Sequence, residues 1–257
     1  MFPKSAPLVA LTALALVSAC SRRPAAPPEP PGAGQPRADY AASPAVLKVT
    51  REGAGFRLAG TAPAGAKVRL ASPSGAAAVA VADGAGRWNL TLPPAQEGYI
   101  YGLSETVHGR VVQAQGYIVL TPQGPAAQLR AGSGAVRLDP RAAPSLGALD
   151  FDSSGAAVVS GLAPADSRVF LKLDNRQMGQ GRADEAGRYA ISISQSVPRG
   201  DHLLEVSGDN FANRARVSIV PAKPLASGPM RLQVTQGGTR VDWLTPGGAV
   251  QSTILLD

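Results

Sequence analysis

Gly60-Thr61-Ala62-Pro63, followed by Ala82-Asp83-Gly84-Ala85-Gly86-Arg87-Trp88, is written a second time as Gly161-Leu162-Ala163-Pro164 followed by Ala183-Asp184-Glu185-Ala186-Gly187-Arg188-Tyr189. Gly60 and Gly161, Ala82 and Ala183, and Trp88 and Tyr189 each lie 101 positions apart, so no insertion separates the two copies over the matched span. Repetition at a fixed spacing of this length is the mark of a duplicated domain. Within one copy, Lys67-Val68-Arg69-Leu70 and Arg87-Trp88-Asn89-Leu90-Thr91-Leu92 alternate polar with apolar, the period of a strand with one buried face. Trp88, Leu90 and Leu92 are expected inward, with Tyr189, Ile191 and Ile193 in step in the second copy. Between the strands, Asp83 and Asp184 are expected to cap tight turns through backbone amides, and Gly86 and Gly187 to supply a positive φ, so all four are read as structural turn residues.

Working outward, 257 residues hold two domains of about 100 residues with flanking segments. Gly 29 and Pro 23 are abundant and aromatics make up only 5%, which fits many short strands; no 3.6-residue period follows the N-terminus, so the fold class is all-β. Residues 1–19 carry Lys4 and then a largely apolar run from Ala6 to Val17, the pattern of a secretory signal too short to span a bilayer. Cys20 is the sole cysteine, so no disulfide can form within the chain. Residues 20–45 contain seven prolines, Pro24, Pro27, Pro28, Pro30, Pro31, Pro36 and Pro44, and almost no large apolar side chain. This composition predicts an extended tether of about 3.1 Å per residue where it is polyproline-like. The first domain is expected at 46–121, a connector at 122–147, the second domain at 148–221 and a β-meander at 222–257.

Two resemblances add to this reading. Val17-Ser18-Ala19-Cys20 resembles the bacterial lipobox, which implies a diacylglyceryl thioether and an N-acyl chain such as palmitate on Cys20. Several acyl chains hold a membrane stably where one holds marginally. Ser21 in place of aspartate implies the outer membrane, facing the periplasm. Gly-x-Ala-Pro, then a Val-x-Leu strand, then Ala-Asp-x-x-Gly-Arg-aromatic resembles bacterial immunoglobulin-like domains, and carboxypeptidase-regulatory-like modules share much of it. The resemblance implies tandem immunoglobulin-like β-sandwiches, an architecture that hosts unrelated functions.

Catalytic patterns are absent from the sequence. A Ser-His-Asp constellation needs a nucleophile beside its base, and no Gly-x-Ser-x-Gly accompanies His108 or His202, the two histidines. Neither a cysteine cluster, a His-x-x-x-His nor an Asp-x-Asp-x-Asp loop is present, so no metal site or cofactor is expected. The formal charge is +7, and removal of Lys4 with the signal lowers it to +6. That is a mild field, and an exported protein does not meet nucleic acid; an acidic envelope glycan is the partner such a charge favours. Tyr99, Tyr101, Tyr117 and Trp243 are the candidate ligand contacts, since aromatic side chains stack on sugars or anchor proteins. The expectation is a non-enzymatic, lipid-anchored envelope protein acting as spacer and protein-interaction scaffold, with peptidoglycan or another envelope polysaccharide as the alternative ligand.

Overall fold

The computed structural model describes residues 42–94 and 97–257, all of them strand, turn or loop. Cys20, the signal and most of the tether lie outside the described residues. The alternation read from the sequence becomes burial directly: in Arg87–Leu92 every second side chain is buried, beginning with Trp88. The Asp83 carboxylate accepts hydrogen bonds from the amides of Ala85 and Arg87 at 2.9 Å each, and Asp184 does the same for Ala186 at 2.9 Å and Arg188 at 2.8 Å. Gly86 and Gly187 have φ of 73° and 74°. A Cβ there would sit 2.7 Å from the carbonyl oxygen of Ala62 and 2.6 Å from that of Ala163, so both the left-handed backbone and the close approach require glycine.

The first sandwich pairs β1 (Ala45–Glu52), β2 (Gly55–Thr61) and β5 (Arg87–Leu92) as one sheet. Facing it is a second sheet containing β3 (Lys67–Ala71), β4 (Ala77–Val81), β6 (Tyr99–Val107), β7 (Arg110–Gln113), β8 (Tyr117–Leu120), β9 (Ala126–Leu129) and β10 (Val136–Arg137). Its order is β10-β9-β8-β6-β3-β4, and β7 pairs with the far half of β6. Trp88, Phe56, Leu58, Leu70, Leu103 and Leu120 are among the side chains closing the core between these sheets.

In the second sandwich the third sheet runs β15 (Arg188–Ser192), β12 (Ala157–Leu162), β11 (Ser145–Phe151), β20 (Val250–Leu256), β19 (Gly238–Leu244) and β18 (Met230–Thr235). The fourth sheet runs β14 (Arg176–Arg182), β13 (Arg168–Leu173), β16 (Gly200–Gly208) and β17 (Phe211–Ile219). Strands β6 and β16 begin and end 101 positions apart, and β1-β2-β5 recurs as β11-β12-β15. The fold is therefore two tandem immunoglobulin-like sandwiches. Residues 122–147, expected as a connector, instead supply β9 and β10 to the second sheet and open β11. The C-terminal strands complete the third sheet, with β20 paired to β11 on one side and β19 on the other.

A further apolar layer joins the sandwiches. Ile100, Val119, Ala127 and Leu129 on the outer face of the second sheet pack with Ala148, Val241, Trp243 and Leu255 on the outer face of the third. The described residues thus form a stack of four sheets with three apolar layers between them. Ala135, in the turn between β9 and β10, is fastened to the second sandwich at both backbone groups. Its amide donates to Asp150 Oδ2 at 2.6 Å and its carbonyl accepts from Ser160 Oγ at 2.5 Å. Both partners are buried, where a satisfied hydrogen bond matters most because leaving either group unpaired carries its full desolvation cost.

Candidate functional site

The aromatic residues singled out above do not form a platform. Tyr101 is 5% exposed and Trp243 has no exposed surface, which corrects the expectation that they contact a ligand. Tyr101 belongs to the first core, and burial pushes its hydroxyl up to about 12. Trp243 lies in the layer between sandwiches, donates Nε1–H to Thr253 Oγ1 at 3.1 Å, and meets the edge of Tyr117 at 5.9 Å between ring centres. Tyr117 is half-buried in that layer. Tyr99, also half-buried, leans on Tyr101 at 5.2 Å and donates its hydroxyl to the carbonyl of Pro94 at 3.2 Å. Tyr99 and Tyr101 share one face of β6 and Ile100 lies on the other, and both faces are covered there.

The histidines do not meet a nucleophile. His202 bridges the Asp174 carboxylate, 2.7 Å from Nδ1, and the Pro198 carbonyl, 2.9 Å from Nε2. His108 occupies a left-handed turn position between β6 and β7. No group of three or more His, Cys, Asp or Glu side chains with metal-binding proximity occurs among the described residues, and no helix there is long and apolar enough to cross a membrane.

A cleft of about 290 Å³ opens where the two sandwiches diverge beside their shared layer. Four arginines line it, Arg130, Arg137, Arg141 and Arg188, with Asp184 as the one acidic wall residue. Arg137 is fully engaged: Nε and Nη2 donate to the two oxygens of Asp139 at 2.8 and 2.7 Å, and Nη1 donates to the carbonyls of Leu256 at 2.6 Å and Gly147 at 3.2 Å. Among the described residues Arg130 donates only to the carbonyls of Gly134 at 3.0 Å and Ser133 at 3.3 Å. Arg141 reaches the carbonyls of Leu256 at 3.0 Å and Leu146 at 3.4 Å. Burial, and then the neighbouring Arg137 charge, hold the Arg141 guanidinium below its ordinary value, against the opposing pull of Asp139, Asp257 and Tyr189.

A second surface feature is β4. It is the free edge of the second sheet, reads Ala77-Ala78-Val79-Ala80-Val81, and leaves Val79 45% and Val81 65% exposed. The corresponding edge of the second copy, β14, reads Arg176-Gln177-Met178-Gly179-Gln180-Gly181-Arg182. Charge and glycine discourage pairing along β14, whereas nothing of that kind guards β4.

No family model matches the chain, and no curated protein matches it. Among solved structures, a biofilm-associated protein BSP domain aligns at 14% identity over 71% of this chain and 30% of its own length, with a TM-score of 0.26. This chain therefore spans under a third of that protein. The central fibronectin-III array of a RIM-binding protein aligns at 14% identity over 84% of this chain and 89% of its own, with a TM-score of 0.27.

Proposed function

We propose that the chain is a non-enzymatic cell-envelope scaffold, anchored through acyl chains on Cys20, held off the membrane by the proline-rich tether, and bound to a partner protein through the free edge of β4. The observation that carries this reading is the unguarded β4 edge with Val79 and Val81 outward. An extended segment of a partner can add to such an edge, taking affinity from main-chain hydrogen bonds and selectivity from alternate side chains. Stacking of the sandwiches through a shared apolar layer suits a spacer, since it keeps the edge at a fixed place on a stiff body.

The test has two parts. Cys20→Ala should move the protein from the membrane fraction to the soluble fraction, and retention in the membrane would overturn the anchor. A photo-crosslinking residue at Val81 should give a discrete adduct in cells that disappears when Val79→Lys is added. Absence of any adduct, or one indifferent to Val79→Lys, would overturn binding at this edge.

A second reading, an envelope polysaccharide as ligand, draws its support from the arginine cleft rather than from aromatic stacking. Co-sedimentation of the full-length protein with purified peptidoglycan at low and moderate salt tests it. Retention that survives added salt supports recognition, and loss with salt reduces the contact to screened charge.

A further inference from the structure

Duplication gives this protein an internal control. Arg87 and Arg188 occupy the same position in the two copies, one residue before Trp88 and Tyr189. In the first copy Arg87 folds back on its turn: Nε and Nη2 both lie 3.1 Å from Asp83 Oδ2. In the second copy Asp184 keeps the turn hydrogen bonds to the amides of Ala186 and Arg188. The Arg188 guanidinium, however, has no ion-pair partner among the described residues and lines the cleft instead. Local sequence does not force the difference, because Asp83-Gly-Ala-Gly-Arg87 and Asp184-Glu-Ala-Gly-Arg188 differ at one position inside the turn. The difference lies in what the arginine faces. Arg188 faces a concavity that already holds Arg141 and Arg130, neither of which is paired to a carboxylate among the described residues.

We infer that this cleft is a binding site for a carboxylate carried on a small, partly apolar body. Guanidinium forks match a carboxylate in a bidentate geometry that a lysine cannot reproduce. The Arg137–Asp139 pair and the carbonyls it engages fix one wall, so Arg188, Arg141 and Arg130 keep donors for a ligand. Leu47, Leu162 and Ala190 supply apolar wall. A volume of about 290 Å³ lies at the small end of ligand pockets and suits a body the size of one sugar ring or two amino acids. Asp184 in the same wall repels a second negative charge, which favours a singly charged carboxylate over a phosphate dianion. This inference does not depend on the β4 edge, which is built on other strands.

Calorimetric titration of the full-length protein, purified in mild detergent, tests it with four probes: glucuronate, N-acetyl-alanyl-alanine, inorganic phosphate and neutral glucose. One of the two carboxylates should bind saturably, and which one does distinguishes an acidic sugar from a peptide carboxyl terminus as its source. Arg188→Ala should weaken that binding by about tenfold or more, Arg188→Lys should not restore it, and Arg87→Ala should leave it within about twofold, since a lost bidentate charge contact is the only intended change. Arg188 is exposed, so its replacement leaves the core intact. The inference is overturned if neither carboxylate binds, if phosphate or glucose binds as well as the carboxylates, or if Arg87→Ala and Arg188→Ala act alike.

Discussion

Two buried carboxylates show how position decides what an acidic residue does. Asp150, between the sandwiches, accepts from the Ala135 amide and the Thr253 hydroxyl, yet burial outweighs both and raises its carboxyl from 3.8 to about 6. A raised folded value means the folded state holds the proton more tightly. The resulting stabilisation is complete below the unfolded value near 3.8 and is lost as pH rises through about 6, a span worth about 3 kcal/mol. The melting temperature of the native chain relative to Asp150→Asn should therefore shift upward between pH 7 and pH 5, and an unchanged difference would exclude Asp150 as the titrating group. Glu105 is buried in the first sandwich with both carboxylate oxygens unpaired among the described residues, and burial raises its carboxyl as well. Val206, 101 positions on, fills the equivalent place in the second core. Glu105→Val should raise the free energy of unfolding, read from denaturant titration at pH 7, by about 1–3 kcal/mol, because an unpaired buried polar group is removed. The turn carboxylates at 83 and 184 were legible because their partners are local amides. Asp150 and Glu105 were not, because their environments are made by residues distant in the chain.

At the scale of the strand, alternation in Arg87–Leu92 suffices to predict which side is inward. It fails for Tyr99-Ile100-Tyr101, whose two faces belong to two different apolar layers. A run that is apolar on both faces signals a sheet covered on both sides, and β6, β8 and β20 all carry it. Strand β20 has little freedom, as it pairs on both edges and is buried on both faces. Truncation after Ala249 should leave β11 and β19 without their shared neighbour and abolish the folded second sandwich, read as loss of its dispersed amide signals. A truncated chain with those signals intact would show that the C-terminal strands are dispensable. The cleft was invisible in the sequence for a related reason. Its arginines come from the residue after β9, from β10, from the segment before β11, and from β15, and only sheet stacking brings them together.

At the scale of the whole molecule, the shared layer predicts one cooperative body instead of two beads on a string. A single calorimetric transition is expected, with equal calorimetric and van't Hoff enthalpies. Trp243→Ala removes the largest side chain of that layer, at a cost of about 3–5 kcal/mol for a buried aromatic, and should split the transition in two. Two transitions in the native protein would instead mean that the layer does not couple the sandwiches.

The stacking also joins faces that are not equivalent. The first sandwich offers the outer face of its β6 sheet, and the second offers the outer face of β11, β20 and β19, of which only β11 has a counterpart, β1, in the first copy. A heterologous contact of this kind does not close on itself, and repeating it would need both faces on every unit. The counterpart of the β6 face is the outside of the fourth sheet, where Asp201 and Glu205 stand at the positions of Ile100 and Ser104, and Lys172 and Arg214 pair with Glu205. Those charges replace the apolar face that the second sheet presents, so the outside of the fourth sheet faces solvent where its counterpart carries a sandwich.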